Sequence, residues 1–237
     1  MASPTWQANG SPTATATLST RTPTLPAHAA DDILVVMAIH NGAANLSIAA
    51  GWTDLVGAPE GNLNMSTGIW WKRAASGAET NPLVTSTVAA DASNVLTADS
   101  FNIRGCITTG DPYEAGAFSG SPVSSVSPAS TAITTLGADR LAVCFGFFDA
   151  NTSISSIPPA TWTTEEDVTT ATGGTAAYRI IGKDIAAAAL VPSVTVGTLS
   201  TARYWRTLTV AFIPPGGVTT SSPPGFFRRQ TNPLLLR

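Results

Sequence analysis

Two stretches of this chain are apolar on both faces at a period of two. In Asp32-Ile33-Leu34-Val35-Val36-Met37-Ala38-Ile39-His40, Ile33, Val35, Met37 and Ile39 share one face and Leu34, Val36 and Ala38 the other. Leu141-Ala142-Val143-Cys144-Phe145-Gly146-Phe147-Phe148 repeats the pattern, with Leu141, Val143, Phe145 and Phe147 on the heavier face. A strand of this kind must be covered on both sides, so these segments predict buried strands in a layered β structure. Helical periodicity is almost absent elsewhere. Further strands are expected over residues 13–19, 67–73, 83–89, 100–108, 131–136, 161–168, 175–181, 193–196 and 204–213, separated by Gly, Pro, Asn and Asp clusters of turn chemistry. The one stretch with helical propensity, Ile185-Ala186-Ala187-Ala188-Ala189-Leu190, is too short to stand alone and stops before Pro192, so it predicts at most one helical turn.

The chain also resembles itself. Gly137-Ala138-Asp139-Arg140-Leu141-Ala142-Val143 echoes Ala30-Asp31-Asp32-Ile33-Leu34-Val35, and Thr161-Trp162-Thr163 answers Gly51-Trp52-Thr53. Tyr178-Arg179-Ile180-Ile181 follows Ile69-Trp70-Trp71-Lys72, and Trp205-Arg206-Thr207-Leu208 follows Phe101-Asn102-Ile103-Arg104. Four landmarks in the same order, at offsets of 104 to 110 residues, predict a twofold repeat of a β-rich half, over about residues 20–108 and 128–213. The halves are expected to pair as one sandwich over residues 1–213 rather than as tandem domains, because residues 108–130 are not a clean linker and neither half alone has much core. The fold class expected is all-β: an antiparallel β-sandwich, jelly-roll-like, built from two similar halves and followed by an extended C-terminal tail.

That tail begins where two prolines, Pro214 and Pro215, withhold ladder donors. Residues 214–237 contain no acidic residue and three arginines, Arg228, Arg229 and Arg237, which leaves the body with nine basic and fifteen acidic residues. Phe226, Phe227, Leu234, Leu235 and Leu236 add apolar anchors. A cationic and apolar segment beside an acidic body reads as a docking tail, with Phe226, Phe227, Arg228, Arg229, Leu234, Leu235, Leu236 and Arg237 as the contacts.

Composition excludes several classes. Only 11% of residues are charged, against roughly 25% in ordinary globular domains. Ala, Thr and Ser fill 93 of the 237 positions, so hydroxyls and methyls cover the surface instead. A net charge of −3 with two lysines argues against nucleic acid as a partner. No apolar run approaches the ~20 residues that span a bilayer, so membrane insertion is not expected. No Sec-type signal is visible after Met1. Cys106 and Cys144 lie in apolar runs and read as buried reduced thiols, made in a reducing cytoplasm.

Reactive constellations are scarce. His28 and His40 have no second ligand at metal spacing, so neither a metal site nor any other cofactor is expected. No Gly-x-Ser-x-Gly elbow exists, and no Gly-rich loop opens a helix. Glu60, Glu79 and Glu114 read as solvated turn residues, as do Asp31, Asp32, Glu165, Glu166 and Asp167, the two acidic runs with oxygens for Ca²⁺. Of the adjacent Trp70 and Trp71, alternation sends one inward and one outward, and the outward ring is a candidate contact for a sugar or a neighbouring subunit.

The landmarks Pro26-Ala27-His28-Ala29-Ala30-Asp31-Asp32-Ile33-Leu34-Val35-Val36, Gly51-Trp52-Thr53, Trp70-Trp71-Lys72-Arg73-Ala74, Ala138-Asp139-Arg140-Leu141-Ala142-Val143 and the closing Trp205-Arg206-Thr207-Leu208-Thr209-Val210-Ala211-Phe212 resemble a group of phage-encoded virion proteins. The resemblance covers roughly residues 20–213. The chain departs from the group in Asp31, where the group favours Gly, and in its Arg-bearing tail. The resemblance implies a β-sandwich, often jelly-roll-like, in tail fibres, tail tips or on the capsid surface, with no active site carried over. The function expected is a non-enzymatic structural protein of a tailed bacteriophage particle, a capsid decoration, head-fibre, tail-fibre or tail-tip component. Its partners would be other virion proteins, its copies a homo-oligomer, trimeric by analogy, and its location the virion after assembly in the host cytoplasm. The alternative is a carbohydrate-binding β-sandwich module that adheres to a host glycan through Trp70 or Trp71.

Overall fold

The computed structural model describes residues 2–15, 18–56, 60–61, 65–90, 95–121, 123–149, 153–155, 160–169 and 176–216. The fold is all-β, and no helix occurs among the described residues. Nine principal strands carry it: β1 (Thr5–Asn9), β2 (Ile33–His40), β3 (Ser66–Arg73), β4 (Leu96–Arg104), β5 (Tyr113–Gly120), β6 (Arg140–Phe148), β7 (Thr163–Thr169), β8 (Ala177–Ile185) and β9 (Trp205–Phe212). They form two antiparallel sheets. The first runs β1-β4-β2-β3 and is closed on the β3 side by the short strand Thr53–Asp54; the second runs β5-β9-β6-β8-β7.

Each sheet is drawn from one contiguous half of the chain, and the two share one internal order. In each, the half's first strand pairs its last, the last pairs the second, the second pairs the fourth, and the fourth pairs the third. The ladders match residue for residue: Met37 stands between Asp99 and Ile69 as Phe145 stands between Leu208 and Ile180. The turns into β2 and β6 match as well, with Asp31 at φ 69° and Asp139 at φ 59°. Left-handed backbone at those positions costs an L-residue roughly 1 kcal/mol and suits glycine.

Two boundaries differ from the sequence expectation. Residues 108–130 contain β5, the first strand of the second half, and β1 similarly opens the first half before residue 20. Both are edge strands with half-exposed side chains and small residues, so neither shows a strong apolar alternation. The strand order also departs from a jelly roll, in which successive strands alternate between sheets. Here the chain finishes one sheet before starting the other.

The sheets face each other across one core shared by both halves. Ile33, Val35, Met37, Ile39, Phe101 and Ile103 from the first meet Leu141, Val143, Phe145, Phe147, Leu208 and Val210 from the second. Phe101 stacks on Phe145 across the interface, with ring centroids 5.4 Å apart. At one side, Asn9 Nδ2 donates to the Glu165 carbonyl at 3.2 Å, bringing β1 over β7. At the other, the Val56 N–H donates to Tyr113 Oη at 3.3 Å. A Cβ on Gly116 would sit 2.4 Å from Val56 Cγ2, so β5 needs glycine for that approach. First strand over third strand at both edges is the arrangement of an isologous dimer folded into one chain.

Long crossovers cover the outer faces and explain why β2 and β6 are apolar on both sides. Thr20–Arg21, Leu46–Ile48 and Val84–Ser86 form a small sheet over the first half. Beneath it lie Leu34, Val36, Ala38, Trp70 and Leu96. Ile133–Thr134 pairs Leu190–Val191 over the second half, above Ala142, Cys144, Trp162 and Ile181. Fully burying such aliphatic side chains contributes about 1.5–3 kcal/mol each. The Ala186–Ala189 stretch adopts no helical turn; it is an exposed connection into the Leu190–Val191 strand, with too few residues to offset helix nucleation.

Candidate functional site

A polar cluster interrupts the apolar core between the sheets. Strand alternation creates it: on β4, Leu96 and Ala98 point outward beneath the crossover, so Thr97, Asp99, Phe101 and Ile103 share the inward face. Asp99 is thereby fully buried. Tyr178, at the start of β8, faces it from the other sheet and donates its hydroxyl to Asp99 Oδ2. Asp99 Oδ1 accepts the Ser100 N–H at 2.7 Å. On β7 a bulge between Thr164 and Glu166 adds one residue and brings Glu166 within hydrogen-bonding reach of both Asp99 and Tyr178. Trp6 of β1 stacks on Phe101 at 4.4 Å and closes the same side.

The three groups share one charge problem. Burial pushes the Asp99 carboxyl up, opposed by the bonds from Tyr178 and Ser100. Glu166 is pushed up to about 8, first by burial and then by the negative charge of Asp99. Tyr178 is raised by burial and by both carboxylates. Two carboxyls this close in a buried site cannot both ionise at neutral pH, so they hold one proton between them. Asp99 accepts two hydrogen bonds that favour its anion, which assigns the proton to Glu166. Thr97 Oγ1 and Glu166 Oε2 are buried beside the cluster with no hydrogen-bond partner. With Asp99 and Tyr178 fully enclosed, what this arrangement can do chemically is hold a proton between its acidic groups.

Most of the remaining carboxylates are placed differently from the sequence expectation. Glu114 lies on β5, fully buried, with Oε2 2.8 Å from Arg140 Nη2 and Oε1 accepting the Leu136 N–H at 2.8 Å. Glu79 pairs with Lys72 and accepts the Ala75 N–H at 2.7 Å. Asp32 is buried and bound by Arg104, the Ala29 N–H and Asn102 Nδ2; these bonds outweigh burial and hold it below the usual carboxylate range. Glu165, Glu166 and Asp167 are strand residues, and Asp167 pairs with Arg179 at 2.5 Å. Asp31 does stand exposed in a turn, as expected, and Asp167 is exposed on its strand; Asp32, Glu79 and Glu114 serve instead as internal acceptors. The side chain of Glu60 lies outside the described residues.

Trp71 points between the sheets and Trp70 to the outer face, as alternation requires, but both are buried, at 9% and 2% exposure. Trp70 lies under the crossover and across Gly68, where a Cβ would sit 2.1 Å from the ring. Neither indole therefore offers a face to a sugar or a subunit, which corrects the sequence expectation. His28 accepts the Glu79 N–H on Nε2 at 3.1 Å and sits 2.7 Å from the Pro26 carbonyl through Nδ1, so it ties two turns together. Cys106 and Cys144 are free and buried, as expected, with burial raising each thiol to about 12. No metal-binding group of His, Cys, Asp and Glu occurs among the described residues. The tail contacts Phe226, Phe227, Arg228, Arg229, Leu234, Leu235, Leu236 and Arg237 lie outside the described residues.

The root of that tail is fixed. Ile213 is fully buried, its N–H donates to the Pro112 carbonyl at 2.8 Å, and its carbonyl accepts the Ile107 N–H at 2.8 Å. Beside it Ala2, Ser3, Thr5, Arg104, Gly105 and Pro215 line an open depression of about 360 Å³. Sequence reasoning missed Asp99 and Tyr178, although Asp99 has the parity of Phe101 and Ile103, and a carboxylate in the inward register of a core strand was the available signal. No family model, curated protein or solved structure matches the chain.

Proposed function

We propose that this protein is a non-enzymatic structural component of a tailed bacteriophage particle, attached to neighbouring virion subunits through residues 214–237. The observation that carries the reading is the contrast between body and tail at a fixed root. The acidic sandwich engages eight of its charged side chains in four ion pairs within its own chain. From its β9 strand, second from the sheet edge and clamped at Ile213, follows a segment with three arginines, two phenylalanines and three consecutive leucines. Strain applied to such a tail is delivered to an interior strand paired on both sides, which suits an anchor. The resemblance of residues 20–213 to phage virion proteins supports the same reading. The carbohydrate-binding alternative loses its proposed contacts with the burial of Trp70 and Trp71.

The experiment is a chain ending at Gly217. It should fold with the far-ultraviolet spectrum and melting temperature of the full chain while its incorporation into purified particles, read by immunoblot, falls at least tenfold. Incorporation at the full-chain level would refute attachment through the tail.

A further inference from the structure

The duplicated fold supplies an internal control for the buried acid cluster. The ladder partners that place Asp99, Tyr178 and Glu166 in the second-sheet edge have counterparts at the opposite edge: Leu208 pairs Phe145 as Asp99 pairs Met37, Thr67 pairs Ile39 as Tyr178 pairs Phe147, and Leu55 bonds Ile69 as Glu166 pairs Ile180. Leu208 and Leu55 are both fully buried core residues. The same scaffold therefore closes one edge with two leucines and a threonine and the other with two carboxyls and a phenol. Buried carboxyls are a poor means of stabilising a core, and replacing such groups with well-packed apolar residues is often stabilising. Folding alone does not call for them here.

We propose that Asp99, Tyr178 and Glu166 form a protonation latch that holds the edge strand β7 against β1 and β4 while one proton is shared and releases it when that proton is lost. The surroundings leave the charge unanswered. From β2 the facing residue is Met37, from β1 they are the neutral Trp6 and Asn9, and from β4 Thr97. Glu165, the neighbouring carboxylate on β7, lies against Gly182 and is itself raised by burial and by Asp184, so it adds no compensation. The two cations on β8, Arg179 and Lys183, share the parity of Ile181 and so lie on the outer face, where Arg179 binds Asp167 and the Val196 carbonyl. Deprotonation thus puts two anions in contact within the interface. The weakest element touching them yields: among the described residues β7 is an edge strand paired with β8, carries the bulge at Glu166, and is tied to the first sheet by the bond from Asn9 Nδ2 to the Glu165 carbonyl at 3.2 Å.

The test is amide hydrogen exchange of residues 163–169 in the full chain from pH 6 to pH 8, after correction for the intrinsic rate. If opening restores an ordinary glutamate, the opening constant should rise about fiftyfold over that range. Amides of β6 should show no comparable rise. Glu166→Gln should flatten the profile to within about twofold. Should that variant fail to fold, Asp99→Leu with Glu166→Leu, copying the opposite edge, is expected to fold and to be flat as well. The Glu166 carboxyl carbon, followed by NMR in the unaltered chain, should titrate with a midpoint near pH 8. A midpoint between 4 and 5, a pH-independent β7, or a slope retained in the variants would each overturn the latch.

Discussion

The buried pair Glu114–Arg140 is the place where one atom group can be removed with the largest consequence. Both side chains are almost wholly enclosed, at 0% and 3% exposure. In Glu114→Ala, the Arg140 guanidinium keeps the Ala138 carbonyl at 2.8 Å but loses its counter-charge, and the Leu136 N–H loses its acceptor. Breaking a buried pair by deleting one partner costs about 3–5 kcal/mol, of which the orphaned N–H accounts for roughly 1–3. Removing both charges is different in kind: Glu114→Leu with Arg140→Leu leaves no buried ion and should return to within about 2 kcal/mol of the natural chain. A second ion pair, Asp32–Arg104, has an arginine that is half exposed, and Asp32 retains the Ala29 N–H and Asn102. Arg104→Ala should therefore cost much less than Glu114→Ala. Urea unfolding followed by tryptophan fluorescence reads all of these. With a slope of roughly 2–3 kcal/mol/M, Glu114→Ala should lower the midpoint by about 1–2 M at unchanged slope. A midpoint within about 0.3 M of the natural chain, or a double variant as unstable as the single, would refute the assignment of this pair as a buried charge that needs its partner.

Three further outcomes follow from the same geometry. Asp31→Gly relieves a left-handed residue at φ 69° and should stabilise by about 0.5–1 kcal/mol, a rise in Tm of roughly 1–4 °C by calorimetry. Trp70→Ala should destabilise by about 3–5 kcal/mol in the same urea assay, because it empties the outer core over Gly68 rather than clearing a surface contact. Iodoacetamide should leave Cys106 and Cys144 unmodified in the native protein at pH 8 and label both in urea, since burial raises each thiol to about 12.

Acid and alkali should act on different parts of the molecule. Asp32 is held below its ordinary range, so its contribution is present above the unfolded carboxylate range and is lost as pH falls through its folded value. Glu166 is raised to about 8, so its contribution is complete below about pH 4.5 and is lost as pH rises through about 8. Midpoints of urea unfolding should show the Asp32 loss below pH 4, abolished in Asp32→Asn. The alkaline loss between pH 6 and 9 should vanish in Glu166→Gln.

What was legible in the sequence was what burial writes into alternation. β2 and β6 announce themselves because both faces are covered, and β3, β8 and β9 because one face carries a continuous row of large residues. β1 and β5 were missed for the converse reason: an edge strand such as Tyr113-Glu114-Ala115-Gly116-Ala117-Phe118-Ser119-Gly120 contributes backbone bonds and only a few apolar contacts. Charged residues misled where local composition resembled a turn, since Glu114 and Glu166 owe their burial to partners far away in the chain. The repeat was the most informative signal, because it goes beyond fold recognition. Where both halves agree, as at Asp31 and Asp139, the residue serves the architecture. Where they disagree, as at Asp99 against Leu208 and Glu166 against Leu55, the architecture tolerates either, and the polar choice needs a reason outside folding. Comparing a duplicated chain with itself thereby separates what the sandwich requires from what one half has added to it.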